Sequence, residues 1–175
     1  SGQNFNPLPT KVPYKERFDE LLAGFAQLSS DDIYEDISEI IENTSNPTER
    51  DALVKARIGQ GKFRSDLVKV WQRGEKCVLT GLDVPELLVA SHIKPWCASS
   101  DIERLDVHNG LLLLPTLDKA FDSGFISFDK SGCIIISPSL QEPEGLCITN
   151  SMSVNLKPEH QVYMKFHRES VFRNR

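Results

Sequence analysis

The pattern of apolar residues changes at Gly74, and this change limits the chain to a fold whose helices and strands lie in separate parts. Before Gly74, apolar side chains recur every three or four positions, as on the buried face of an amphipathic helix. After it, short apolar runs are separated by turn residues, and residues 129–132 have the composition of a hairpin turn. The sequence therefore predicts an α+β fold, in which N-terminal helices precede a β-rich unit.

Individual segments follow from the same pattern. Helices are predicted around residues 18–25 and 33–41, then over 48–57 and 62–73, with Gly59 and Gly61 interrupting the last two. The strand candidates are residues 76–80, 87–90, 111–114, 125–128 and 133–137. A short helix is predicted over 116–122, and another over 159–172 with Val162, Tyr163 and Phe166 facing inward.

The acidic residues are concentrated at the N-terminus. Residues 1–50 carry four basic and ten acidic side chains, and residues 1–13 contain three prolines with little apolar periodicity. We therefore predict that residues 1–48 form an extended arm and an acidic helical extension, and that residues 49–175 form the main domain.

A basic stripe follows the acidic extension. Over residues 55–76, seven cations stand against only two carboxylates. Such a stripe could follow a phosphate backbone. The alternative is an ordinary solvated helix face, which charge alone favours.

Cysteine spacing and apolar run length indicate the compartment. The four cysteines form no C-x-x-C pair, so we expect a reducing, cytoplasmic environment. The longest uninterrupted apolar runs, such as residues 111–114, hold four residues, whereas a membrane span needs about 20. We therefore expect no membrane partner.

The chain begins with Ser-Gly and no methionine, which is typical of tag removal and predicts an excised domain of a longer protein.

A histidine, an asparagine and two aspartates are the residues best suited to chemistry. His92 follows a predicted strand, Asn109 stands in an Asn-Gly turn pair, and Asp118 and Asp122 are four positions apart on the predicted short helix. Positions i and i+4 share a helix face, so the two carboxylates could converge on one hard cation. These residue types suggest metal-assisted hydrolysis. The alternatives are a helix-end hydrogen bond for Asp122 and an ion pair with Lys119 or another base for Asp118.

Several ordered blocks resemble the HNH endonucleases, which share a ββα-metal fold. The blocks are residues 57–64, 77–81, 91–96, 109–113, 118–124 and 166–169. In that family a metal-binding residue stands nine positions after the motif's asparagine, as Asp118 does after Asn109. The resemblance covers about residues 50–172 and is to the branch found in bacterial restriction and anti-phage defence nucleases. It implies a ββα-metal core with an additional hairpin and a C-terminal helix.

Two departures from the family pattern bear on the metal. Many HNH proteins carry a metal ligand immediately before the catalytic histidine, where this chain has Ser91. A neutral hydroxyl is a poor ligand, so Asp118 and Asp122 must supply more of the coordination. A carboxylate at position 118, where histidine is common, favours Mg²⁺ or Mn²⁺. Since Cys77 lacks a second thiolate nearby, we expect no structural zinc. The expected cofactor is therefore one divalent ion.

The resemblance assigns a role to each candidate residue. His92 is the expected general base that activates the attacking water. Asp118 and Asp122 are the expected metal ligands, and Asn109 is expected to fix the loop that presents His92. The other histidines, His108, His160 and His167, are expected to be structural or exposed to solvent.

Four cations are candidates for contacts with DNA phosphates: Arg57, Lys62, Arg64 and Lys94. Arg64 has an equal alternative, in which it ties its helix to the β-rich unit.

Together these features predict a metal-dependent endonuclease that cleaves double-stranded DNA in restriction or anti-phage defence. The resemblance implies 5′-phosphate and 3′-hydroxyl ends. The alternatives are a DNA-binding module whose catalysis has decayed, for which Ser91 is the one hint, and a protein-interaction or oligomerisation module built on an HNH scaffold. The sequence leaves two further alternatives open: that the protein forms homo-oligomers, and that a longer chain carries an additional domain.

Overall fold

The computed structural model describes residues 31–71 and 75–174, and the elements of this part surround a β-hairpin. The helices are α1 (Asp31–Asn43), α2 (Pro47–Val70), α3 (Asp101–Leu105), α4 (Pro115–Asp122) and α5 (Gln161–Phe166). The strands are β1 (Val89–His92), β2 (Gly110–Leu113), β3 (Ile126–Phe128) and β4 (Ile134–Ile136). These elements confirm the predicted α+β fold. The predicted arm over residues 1–13 and the helix around 18–25 lie outside the described residues.

The central hairpin has helices on both faces. β1 and β2 are antiparallel, with His92 opposite Gly110 and Ser91 opposite Leu111. Leu111 belongs to the core that includes Phe121 of α4, whereas the neighbouring β2 residue Leu112 packs with residues of α2. Because paired residues on antiparallel strands point to the same face, Ser91 lies on the α4 face and His92 on the α2 face.

Gly110 permits the close approach of α2 to the hairpin. A Cβ atom at this position would lie 2.5 Å from Phe63 Cζ and 2.8 Å from Leu67 Cδ1, both on α2. Both of these side chains are fully buried. The Asn-Gly pair therefore does more than make a turn, since its glycine leaves the space that α2 fills.

The predicted interruption at Gly59 and Gly61 is wrong, because α2 continues through both glycines. A glycine inside a helix costs about 1 kcal/mol relative to alanine. Burial of Phe63 and of Leu67 each contributes about 1.5–3 kcal/mol, so tertiary packing outweighs the local preference. The helix starts at Pro47, where the Asn46 side chain accepts hydrogen bonds from the first backbone amides.

The predicted strand over residues 76–80 is also wrong. These residues form a turn that is closed by a 2.8 Å hydrogen bond from the Gly81 amide to the Cys77 carbonyl. Gly81 has φ +73°, a left-handed conformation that favours glycine and stops extension of the strand. One hydrogen bond, from the Val78 amide to the Leu112 carbonyl, joins the turn to β2.

The C-terminal helical segment differs from the prediction in its inward face. A 3₁₀ turn (Pro158–His160), α5 and a π-helical turn (His167–Val171) follow one another. Val162 is 67% exposed, whereas Tyr163 is buried as predicted and Met164 is fully buried. Contacts to distant segments decide this orientation, since Tyr163 donates a hydrogen bond to Asp106 and His167 bonds to the Phe121 carbonyl.

Candidate active site

His92 is the last residue of β1, and one backbone carbonyl fixes its ring. Its Nε2 lies 2.9 Å from the carbonyl oxygen of Arg104. A carbonyl can only accept, so in the neutral ring Nε2 carries the proton and Nδ1 has the free lone pair. Within the described residues Nδ1 has no hydrogen-bond partner. The ring is therefore in the tautomer that can take a proton through Nδ1.

Two aromatic side chains enclose the His92 ring. Phe63 stacks on it, with centroids 3.9 Å apart and planes at 14°, and the Trp96 ring meets it edge-on at 5.3 Å. The resulting burial lowers the pKa of His92 below its usual 6.5. The imidazole is therefore neutral at pH 7, as a general base must be.

Asn109 ties together the two ends of the loop between β1 and β2. The side chain is fully buried, and its Oδ1 accepts a 2.8 Å hydrogen bond from the Lys94 amide. Its Nδ2 donates to the carbonyl oxygen of Glu103 at 3.0 Å. The Asn109 carbonyl also accepts from the Ile93 amide at 3.0 Å. These bonds hold the backbone that follows His92 against Glu103. The next residue, Arg104, supplies the carbonyl oxygen that orients the His92 ring.

Lys94 is engaged within the same loop. Its Nζ lies 2.7 and 2.8 Å from the two carboxylate oxygens of Glu103 and 5.3 Å from the centre of the Phe166 ring. Hydrogen bonding to Lys94 lowers the pKa of Glu103 to about 2. This pairing supports the loop and offsets the charge that would otherwise attract a phosphate.

Asp118 and Asp122 lie next to each other on α4, which packs against β1. Desolvation by nearby protein atoms and repulsion from Asp118 raise the pKa of Asp122 to about 6, although its side chain remains in contact with solvent. Two carboxylates that oppose each other's ionisation form a favourable place for a cation. Mg²⁺ is commonly bound by one or two carboxylates together with substrate phosphates.

Ser91 lies on the hairpin face against which α4 packs. The side chain is 3% exposed, and its Oγ has no hydrogen-bond partner within the described residues. The Asp118 and Asp122 carboxylates are oxygen donors of the kind that a divalent ion prefers, and the unpaired Ser91 hydroxyl lies on the hairpin face against which their helix packs. The described residues contain no group of three or more His, Cys, Asp or Glu side chains placed to hold a metal, so such an ion would take its further oxygen ligands from water or substrate.

The candidate residues thus form two clusters that are joined through β1. One contains His92, Lys94 and Asn109, which the loop between β1 and β2 brings together. The other contains Asp118 and Asp122 on α4. Within the described residues, no hydrogen bond or ion pair connects His92 directly to either aspartate.

Several cations of the basic stripe make contacts within the described part of the chain. Lys62 and Lys69 both pair with Asp66. The Arg64 guanidinium donates to the carbonyl oxygens of Leu88 and Pro85. The structure favours the alternative for Arg64, a residue that ties α2 to the segment before β1. Arg57 lies half-buried on α2.

The remaining histidines pack inside the fold. His167 stacks on Phe121 with centroids 3.8 Å apart, and burial lowers its pKa to about 4. His160 is fully buried, and its ring meets the half-buried ring of His108 edge-on at 5.3 Å. The described part of the chain therefore uses these three rings for packing.

Sequence reasoning missed Phe63 and Arg104 as residues around His92. Phe63 stands among the periodic apolar positions of the helix predicted over 62–73, and such spacing indicates packing alone. Arg104 carried no signal, because its backbone carbonyl makes the contact with His92. Its side chain holds the same loop, with Nε donating to the Trp96 carbonyl at 3.1 Å and the guanidinium lying 5.0 Å from the Trp96 ring centre.

Comparison with known proteins supports the HNH family for the central part of the chain. A family model described as HNH endonuclease matches residues 77–129, a segment that contains His92, Asn109 and both aspartates. A search of curated proteins finds none that matches the chain. HNH nucleases generally use a divalent metal and act on DNA, and the match supports nuclease chemistry for residues 77–129. Across residues 31–71 and 75–174, no helix has the length and apolar character needed to cross a membrane.

Proposed function

We propose that this chain is a metal-dependent HNH endonuclease that hydrolyses phosphodiester bonds of double-stranded DNA in restriction or anti-phage defence. The observation that carries the proposal is the state of His92, whose Nε2 is held by the Arg104 carbonyl while Nδ1 is left free to accept a proton. The family match over residues 77–129 supports the reaction class.

In the proposed reaction, His92 Nδ1 accepts a proton from a water molecule as the water oxygen attacks the scissile phosphorus. The bond from phosphorus to the 3′ oxygen breaks, and solvent protonates the departing oxygen, which leaves 5′-phosphate and 3′-hydroxyl ends. Asp118 and Asp122 would hold one Mg²⁺ or Mn²⁺, which supplies charge stabilisation for the phosphate and the departing oxygen. The rings of Phe63 and Trp96 pack against the imidazole, and the resulting desolvation keeps it neutral.

Asn109 acts in this proposal as a positioning residue. It sets the loop geometry that carries the Arg104 carbonyl and thereby selects the His92 tautomer. Arg57 and Lys62 on α2 are the proposed phosphate contacts near the hairpin. The partners of Arg64 and Lys94 favour a supporting role for these two cations.

Supercoiled plasmid tests the activity directly. We expect nicking in Mg²⁺ or Mn²⁺, no nicking in excess chelator, and loss of nicking in His92→Ala with DNA affinity retained, because the imidazole acts on water. His108→Ala is the matched control, since this histidine lies outside both clusters. Near-normal cleavage by His92→Ala would overturn the role of the base, and wild-type binding without cleavage would favour the decayed module suggested by Ser91.

The biological role needs a separate test. Cells that carry the wild-type gene in its natural context should reduce phage plating relative to cells that carry His92→Ala. Equal plating by the two strains across a phage panel would contradict restriction or defence while leaving the nuclease activity intact.

A further inference from the structure

A groove of about 660 Å³ lies on the side of α5 that carries Gln161 and Lys165. We call it the C-terminal groove. Its walls are formed by α5 with the turn that follows it, by the loop between β3 and β4, and by residues 156–158. Three of its lining residues are cations, Lys130, Lys165 and Arg168, and one is a carboxylate, Glu169. The lining therefore carries an excess of positive charge, although the whole chain has a net charge of −5.

The cations of the C-terminal groove are weakly neutralised within the described part of the chain. Lys130 Nζ has no ion-pair or hydrogen-bond partner there, and Lys165 is 3.9 Å from Glu169 with 68% of its side chain exposed. Arg168 donates one hydrogen bond to the Phe128 carbonyl, which leaves its charge unpaired. The cations singled out from sequence differ in this respect, because Lys62 shares Asp66 with Lys69 and Lys94 is bound to Glu103.

The groove walls are fixed to one another by hydrogen bonds. Gln161 Nε2 donates to the Lys130 carbonyl at 3.1 Å, and Arg168 Nη1 donates to the Phe128 carbonyl at 2.9 Å. Both bonds join the C-terminal helical segment to the hairpin of β3 and β4. The backbone that carries the three cations is therefore held in place before any ligand binds, which reduces the ordering cost of binding.

We propose that the C-terminal groove binds backbone phosphates of the same DNA duplex that the active site cleaves, and this inference rests on the proposed function. α5 borders both the active site and the C-terminal groove. Its Phe166 ring lies under Lys94, which stands two residues after His92, and its Lys165 lines the groove. A helix with its side chains is about 10–12 Å across, which is about three base-pair steps of 3.4 Å. One duplex can therefore span the two places.

The test is a DNA-binding salt series with the full chain in the His92→Ala background, which prevents cleavage. Anisotropy of a labelled duplex gives the slope of log affinity against log salt, and this slope becomes shallower by about 0.9 for each phosphate that the protein no longer neutralises. We expect Lys130→Gln/Lys165→Gln to flatten the slope by about 1.8 and to weaken binding equally on unrelated sequences. Lys69→Gln/Lys76→Gln is the matched pair, and it should change the slope less because Asp66 and Asp83 already offset the two charges.

Each outcome separates the groove from the active site. An unchanged slope in Lys130→Gln/Lys165→Gln, with circular dichroism and thermal unfolding like the parent, overturns the groove assignment while plasmid cleavage by the wild type upholds the proposed function. Absence of both DNA binding and cleavage by the wild type overturns the two together. A flattened slope with a shifted base preference would also overturn the inference, since a phosphate contact carries no sequence information.

Discussion

The ring of His92 lies flat against the ring of Phe63, with centroids 3.9 Å apart and planes 14° from parallel. This contact joins a residue of α2, which sequence reasoning assigned to packing alone, to the proposed general base at the end of β1. The same phenyl ring fills the space that Gly110 leaves open beside β2. Phe63 therefore serves both the stability of the fold and the environment of the base.

We expect Phe63→Ala to lower the free energy of unfolding by about 3–5 kcal/mol, the usual cost of removing a fully buried phenyl ring. Urea denaturation measures this change. Phe63→Leu keeps most of the apolar volume but loses the stacked ring, so we expect a folded protein whose cleavage rate falls by about tenfold. Full activity in Phe63→Leu would show that the stack does not support the base.

The raised pKa of Asp122 predicts a specific pH dependence of stability. Its carboxyl has a pKa of about 6 in the folded chain against an ordinary 3.8, so between these values the folded state holds a proton that the unfolded state releases. The contribution of this carboxyl to the free energy of unfolding is therefore lost as pH rises from about 4 to about 6. We expect Asp122→Asn to be more stable than the wild type at pH 7 in chelator, with the difference shrinking towards pH 4.

Urea denaturation of both proteins across this pH range measures the difference, and Asp101→Asn serves as a control because its side chain is 95% exposed. A stability difference that does not vary with pH would contradict the raised pKa of Asp122.

Metal binding should depend on both aspartates of α4. We expect Asp118→Asn to raise the Mg²⁺ or Mn²⁺ concentration needed for half-maximal cleavage more than Asp122→Asn does, since Asp118 occupies the family's ligand position nine residues after Asn109. Above pH 6, added Mg²⁺ should also raise the thermal midpoint of the wild type more than that of either variant, because only ionised carboxylates bind it. If Asp122→Asn proves more costly, the ion is held mainly one turn later on α4.

Loss of the Asn109 amide should affect the loop before it affects the rest of the fold. Asn109→Ala removes the acceptor for the Lys94 amide and the donor to the Glu103 carbonyl in a fully buried place. We expect a stability loss of about 1–3 kcal/mol and a larger proportional loss of cleavage, since the Arg104 carbonyl would no longer hold the His92 tautomer. Asn155→Ala, at an exposed position, is the control. Normal cleavage by Asn109→Ala would refute the positioning role.

The sequence by itself determined the features that depend on neighbouring residues. α4 runs from Pro115 to Asp122, within one residue of the helix predicted over 116–122, because Pro115 favours a helix start and Gly124 a helix end. The hairpin of β3 and β4 appears where two short apolar runs meet the predicted turn at residues 129–132. The order of His92, Asn109 and Asp118 was likewise visible, because motif spacing is a property of the chain and not of its packing.

Tertiary structure decided the features that depend on contacts between distant segments. Burial of Phe63 against the hairpin carries α2 through two glycines. The sequence left Arg64 with two equal interpretations and made Lys94 a candidate for a phosphate contact, whereas in the structure backbone carbonyls hold Arg64 and Glu103 holds Lys94. Local propensities differ by about 1 kcal/mol per residue, whereas burial of one large side chain contributes about 1.5–3 kcal/mol. Packing between distant segments therefore outweighs the local pattern where the two conflict.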